Sequence, residues 1–281
     1  MEIFQKVKDV KVYVARLKAA QKKIGFVPTM GALHDGHTSL IHESIRNNDI
    51  TICSIFINPI QFNNKEDLAK YPKLIKDDIA KLNETECDCL FNPDGNEIYP
   101  KPIKTEYDFG HLDKVMEGKY RKGHFNGVAV VVKRLFDIIE PDNSYFGEKD
   151  YQQLMIIKHL VKDQELDVNI IPCPIVREVN GLAMSSRNSR LDPLEKVVAP
   201  ALYAVLKKAK ERAGDLTVKE LKSFVTKQLG NFKIIRVEYF DIVDMNTLEP
   251  VHDWSESKEV IACIAAYVGN IRLIDNIILF S

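Results

Sequence analysis

Residues 24–47 constrain this chain more than any other stretch. Residues 24–27 form a short apolar run, the chain turns through Pro28, Gly31 and Gly36, and Leu40, Ile41 and Ile45 then recur at helical spacing. The order is strand, glycine turn, helix. At such a junction backbone N–H groups point outward at the positive end of the helix dipole, so an anion is stabilised there. Gly36 lets a ligand approach the backbone closely. His34 and His37 flank it. Their imidazoles supply donors to phosphoryl oxygens, or a positive charge as pyrophosphate departs. One histidine near a helix start usually caps or packs; two around a glycine, directly after a strand, read as a phosphate site.

The chain beyond this turn repeats the theme. Residues 50–57 are β-branched and almost wholly apolar, as in a parallel strand buried on both faces. Strand, helix and strand make a βαβ unit with an expected right-handed crossover. The second strand ends in Asn58-Pro-Ile-Gln61-Phe62. Ligands of open α/β sheets sit beyond the carboxyl ends of strands, so Asn58 and Gln61 share a rim with His34 and His37. The Gln61 amide either meets a substrate with hydroxyl and carboxylate groups or bonds its own loop. Residues 65–86 read as two helical segments broken at Tyr71-Pro72, the second carrying Asp77 and Asp78, and residues 87–91 as a strand. Residues 103–122 read as irregular. Arg121, Lys122 and His124 form a basic cluster before a long helix over 125–139, either a solvated loop or a lid over phosphates.

A short strand at Tyr145 and Phe146 runs through Gly147 into a helix opening at Glu148-Lys-Asp150. Acids suit that end of a helix; a lysine does not unless an anion lies nearby, which marks Lys149 as a phosphate or carboxylate ligand. Asp150 is placed to accept from a ribose hydroxyl, and Gln153 faces the same way a turn later. Residues 168–174 close the first unit, and their two prolines, Pro172 and Pro174, with the following Val176-Arg-Glu-Val-Asn-Gly181 mark a turn and hinge. Met184-Ser-Ser-Arg187 is either a loop that wraps a triphosphate, with Arg187 giving paired bonds, or an ordinary helix cap. Helices over 194–213 and 217–229 and strands over 236–243, 259–268 and 271–278, with a hairpin at Gly269-Asn270, complete an antiparallel α+β unit.

Net charge is −1 with both signs interspersed, so nucleic acid is not expected as a main partner. No apolar run reaches membrane-spanning length, and the N-terminus lacks a signal pattern, so the expected location is cytoplasmic. The five cysteines, Cys53, Cys87, Cys89, Cys173 and Cys263, are scattered in apolar runs. They read as buried thiols rather than disulfide or zinc pairs, and none has the neighbouring base of a nucleophile.

The His34-Asp-Gly-His37 string resembles the signature of the adenylyl-transferring α/β superfamily. The longer Pro28-Thr-Met-Gly-Ala-Leu-His-Asp-Gly-His37 resembles one family within it, the pantoate-β-alanine ligases. So do Asn58-Pro-Ile-Gln-Phe62, Arg121-Lys-Gly-His-Phe-Asn-Gly-Val128, Phe146-Gly-Glu-Lys-Asp-Tyr-Gln-Gln153 and Met184-Ser-Ser-Arg-Asn188, all in order. The resemblance implies an α/β fold: a Rossmann-like nucleotidyltransferase domain with a parallel sheet over 1–176, and a smaller α+β lid domain over 177–281. It implies condensation of pantoate with β-alanine through a pantoyl adenylate, with ATP as substrate, Mg²⁺ on its phosphates, and a homodimer. His37 would donate the proton, beside His34, Lys149 and Arg187. ATP would lie on Met30, Gly31, Ala32, Leu33, His34, Asp35, Gly36, His37, Gly147, Glu148, Lys149, Asp150, Val176, Met184, Ser185, Ser186 and Arg187. Gln61 and Gln153 would hold pantoate, and Gln61 also β-alanine. Asp77 and Asp78 would be outer metal ligands, although Lys81 stands where relatives can have an amide. Two other readings stay open, another adenylyl transferase and a non-catalytic nucleotide-binding regulator. The first lacks the Asn58–Gln61 and Lys149–Gln153 strings, and the second would have lost His37 or Arg187.

Overall fold

The parallel sheet expected from the apolar strands is present in the computed structural model, which describes residues 1–281. Its strands are β1 (Glu2–Phe4), β2 (Ile24–Thr29), β3 (Ile50–Ile55), β4 (Cys89–Phe91), β5 (Asn143–Gly147) and β6 (Asn169–Cys173). They lie in the order β1-β4-β3-β2-β5-β6, all paired parallel. The intervening helices are α1 (Val7–Ala19), α2 (Asp35–Asn47), α3 (Lys65–Ala69), α4 (Ile75–Glu84), α5 (Gly95–Ile98), α6 (Met116–Tyr120), α7 (His124–Ile139) and α8 (Tyr151–Asp163). Phe26 and Ile52 face the α1, α7 and α8 side, Val27 and Cys53 the α2 and α4 side, and all four are fully buried. Burial on both faces explains why these strands are continuous apolar runs. After β2 the chain builds toward β3 and β4, then returns to lay β5 on the other side. The crevice between the carboxyl ends of β2 and β5 is therefore the topological switch point, where α/β sheets bind ligands.

A second sheet is antiparallel: β7 (Ile235–Asp244), β8 (Val260–Val268) and β9 (Ile271–Phe280). One face packs on α10 (Ala201–Arg212) and α11 (Val218–Gly230), with the short α9 (Pro193–Val198) before them. The helix expected over 194–213 is two helices, divided at Ala199-Pro200, because a proline inside a helix removes a hydrogen bond and clashes with the preceding turn. Other differences are small. β1 is too short for its alternation to be read, β3 stops at Ile55, β4 starts at Cys89, and a 3-10 turn over Glu148–Asp150 precedes α8. All five cysteines are buried and free.

The stretch read as irregular, 103–122, has a definite task. Met116 inserts beside Tyr239, Leu248 and Ile261 on the other face of the second sheet. The Glu117 carboxylate, next to it, accepts from both terminal nitrogens of Arg272 (2.9 and 2.7 Å) and from the Tyr239 hydroxyl (2.9 Å). Arg121 adds a bond at 3.2 Å. Burial alone would raise this carboxyl, but the Arg272 fork and Arg121 hold it down at about 2. Its folded value thus lies below the ordinary 4.5, so its contribution is complete above about pH 4.5 and is lost as pH falls toward 2. Glu117→Gln should therefore lower stability at neutral pH by about 3 kcal/mol and flatten the acid limb of the stability profile. Denaturant titrations from pH 3 to 7 check this; an unchanged acid limb would contradict it.

Candidate active site

The glycine turn is held from beneath. Gly31 and Ala32 both have positive φ, +77° and +49°. The buried Asp78 carboxylate accepts from the N–H groups of Ala32 (3.0 Å) and Leu33 (2.7 Å). These amides are therefore spent on α4 and do not face a ligand. A Cβ on Gly31 would sit 2.8 Å from Asp78 Oδ2, so the tight approach requires glycine. Burial raises the Asp78 carboxyl, against the two backbone bonds. Asp77 is exposed on the same helix, and Lys81 pairs with Asp35 at 3.7 Å. Of the two carboxylates expected as outer metal ligands, that of Asp78 is engaged by the turn and that of Asp77 faces solvent. No group of three or more acidic, imidazole or thiol side chains gathers elsewhere to hold an ion. Asp78→Ala should cost about 1–3 kcal/mol, through two unpaired amides, and leave the magnesium requirement of any reaction unchanged. Thermal unfolding and a magnesium titration check the two halves; a raised magnesium requirement would assign Asp78 to the metal.

Above that turn, His34 and His37 form a reciprocal cap on α2. His34 Nδ1 accepts from the Gly36 N–H (3.2 Å), and His37 Nδ1 accepts from the His34 N–H (3.3 Å). The rings lie 4.0 Å apart. A ring nitrogen that accepts carries no proton, so each neutral ring bears its hydrogen on Nε2. Neither Nε2 has a protein partner, and both rings line a cavity of about 230 Å³ at the switch point. Burial, then Lys149 and Lys81, lower the His34 imidazole to about 4. Burial, then His34 and Lys149, put His37 well below its ordinary range. Burial and the neighbouring cations thus favour the neutral form of both rings, in line with the donor role read from the sequence.

The same cavity collects most of the expected residues. Met30, Gly36, Gln61, Gly147, Lys149, Asp150, Gln153, Val176, Met184, Ser185, Ser186 and Arg187 line it with the two histidines. Gly31, Ala32, Leu33, Asp35 and Glu148 do not. The first three face Asp78, Asp35 is exposed, and the Glu148 carbonyl accepts from Asn276 Nδ2 (2.8 Å). Asn276 also bonds the Lys149 carbonyl (3.0 Å), so β9 fixes the backbone of the lysine turn. Lys149 is largely buried, 3.6 Å from Asp150.

Arg187 and Arg190 project from a 3-10 turn, Ser186–Arg190, and share one carboxylate. Arg187 Nη2 lies 2.6 Å from Asp67 Oδ2 and Arg190 Nη1 2.7 Å from Asp67 Oδ1. Burial acts against ionised Asp67, but the two guanidinium groups hold its carboxyl below the ordinary range. Tyr71 adds a bond to Ser186 (3.2 Å). This turn therefore docks on α3 across the cleft, beside a wider groove of about 790 Å³.

Of the three basic residues at 121–124, Lys122 alone is exposed. Arg121 pairs with Glu117, and buried His124 bonds the Gln61 carbonyl through Nδ1 (2.8 Å), its imidazole lowered by burial to about 3. Asp67, Asn276 and Glu117 were missed because each acts across the chain, where no local spacing marks it.

The pantoate-beta-alanine ligase family model matches residues 2–278. A pantothenate synthetase of Azobacteroides pseudotrichonymphae is 49% identical over 278 residues, 99% of both chains. One of Porphyromonas gingivalis is 46% identical over 277 residues, again 99% of both. The crystal structure of pantothenate synthetase from Thermus thermophilus superposes with TM-score 0.94 at 38% identity, covering all of both chains. That of the Francisella tularensis pantoate-β-alanine ligase, complexed with β-γ ATP and β-alanine, gives 0.83 at 37% identity over 99% and 98% of the two chains.

Proposed function

The chain belongs to the pantoate-β-alanine ligase family, and from that premise we propose that its switch-point cavity condenses pantoate with β-alanine using ATP. One observation carries the reading for these particular residues. Two neutral imidazoles with free Nε2–H groups share one cavity with Lys149, Arg187, Gln61 and Gln153.

Two steps follow. The pantoate carboxylate attacks the α-phosphorus of ATP; an O–P bond forms and the bond to pyrophosphate breaks. The β-alanine amine then attacks the acyl carbon of the adenylate, and AMP leaves with the C–O electron pair. The protein must position two anions and stabilise charge growing on the bridging oxygen. Lys149 and Arg187 balance the phosphates, Ser185 and Ser186 offer hydroxyls, and His37 with His34 donates through Nε2. Asp150 accepts from the ribose, and Gln61 and Gln153 hold the hydroxy acid, Gln61 also meeting β-alanine. Met30, Gly36, Gly147, Val176 and Met184 shape the nucleotide walls. No buried thiol is needed as a nucleophile. Magnesium belongs with the substrate, on its phosphates, as its preference for water and phosphate oxygens suggests.

We set the division of the chain at 176/177, with residues 177–281 as the lid, and take the protein as a cytoplasmic homodimer in line with the resemblance. Incubation with ATP, pantoate and β-alanine should yield pantothenate and AMP in equal amounts. AMP formation without pantothenate, or ADP as product, would overturn the proposal.

A further inference from the structure

We propose that Tyr99, outside the cavity, is a positioning residue that anchors Asn58 and, through it, the Gln61 amide against the substrate; the inference rests on the pantoate reading above. An amide side chain can present either its oxygen or its nitrogen, and the two ends read opposite chemistry. Here one unambiguous acceptor breaks the tie. The Gly127 carbonyl can only accept, so the atom of Asn58 that lies 3.0 Å from it must be Nδ2. Asn58 Oδ1 then points the other way, where it accepts from the Tyr99 hydroxyl at 2.7 Å. The second hydrogen of Asn58 Nδ2 goes to Gln61 Oε1 at 2.9 Å. That leaves Gln61 Nε2 turned toward the cavity and Met30.

The surroundings hold this chain rigid. Asn58 is 1% exposed and Gln61 8%. α7 packs closely on this turn, where a Cβ on Gly127 would lie 2.7 Å from the Ile60 carbonyl oxygen. The Tyr99 ring stacks edge-on with Phe56, centroids 5.9 Å apart, which fixes the hydroxyl. Without that hydroxyl, Asn58 Oδ1 loses its donor. The Gly127 carbonyl still fixes which end of Asn58 is which, but the side chain is then held on one side only, and the Gln61 amide bonded to it loses its firm placement against the substrate. The carboxylate oxygens of a hydroxy acid only accept, so it is Gln61 Nε2, and not Oε1, that can bond them.

Tyr99→Phe keeps the ring and removes the hydroxyl. In ATP–pyrophosphate exchange, the KM for pantoate should rise about tenfold, the size of one lost buried hydrogen bond, while the KM for ATP stays within about twofold. Gln61→Glu, which places an acceptor in the outward position, should raise the pantoate KM at least as far. The melting temperature is followed for both variants, since a folding defect would depress activity without separating the two substrates. A pantoate KM unchanged in Tyr99→Phe, or equal rises for both substrates, would overturn the assignment of Tyr99. A parent protein that exchanges pyrophosphate with some other acid and ignores pantoate would overturn the functional reading, and the role of Tyr99 toward pantoate with it.

Discussion

Replacing His37 with alanine is expected to slow adenylate formation by about a hundred- to a thousandfold, with ATP affinity changed far less. The magnitude is that of one preorganised donor aimed at charge that grows only in the transition state. The structure adds a way to separate this from a folding effect. His37 has two jobs: Nδ1 completes the cap by accepting from the His34 N–H, and Nε2 is the free donor. An asparagine oxygen can replace the first nitrogen, and a glutamine nitrogen reaches the place of the second. His37→Asn should therefore keep the melting temperature and lose the rate, whereas His37→Gln should recover part of the rate. Single-turnover measurement of adenylate formation reads the difference. Near-normal rates in His37→Asn would show that the cap, and not the donor, is what matters.

Arg187→Lys is expected to lower kcat/KM for ATP by about 10- to 100-fold, because an ammonium cannot reproduce paired guanidinium bonds. The shared carboxylate of Asp67 sharpens the comparison. Arg187 lines the switch-point cavity, and Arg190 lines only the wider groove. Both anchor on the same residue. Arg190→Lys should then cost little, although it makes the same exchange against the same carboxylate. Equal losses in the two variants would mean that docking of the turn on α3 accounts for the effect. An intact kcat/KM in Arg187→Lys would mean that charge alone suffices.

The sheet was legible because its central strands are buried on both faces, and a run as rich in β-branched residues as 50–55 has few other uses. The site was legible where chemistry clusters at strand ends: His34 and His37 after β2, Gln61 after β3, Lys149 after β5. What the sequence hid is what acts over distance. Asp78 looks like half of an acidic pair, yet it hooks amides 45 and 46 residues away. Asp67 gathers arginines 120 and 123 residues away. Glu117 reads as one charge in an irregular stretch until Arg272 arrives from β9. Periodicity reports which face is buried; it does not report which polar group waits on the far side. The downward shift of the two imidazoles was hidden for the same reason, since burial and neighbouring cations cause it and the motif does not report them.

The central claim is that this cavity activates pantoate by transferring an adenylyl group before any amine is present. ATP–pyrophosphate exchange tests it most directly. Labelled pyrophosphate should enter ATP when pantoate and Mg²⁺ are supplied and β-alanine is left out, and should stop when pantoate is withheld. Exchange that begins only when β-alanine is added would contradict the account.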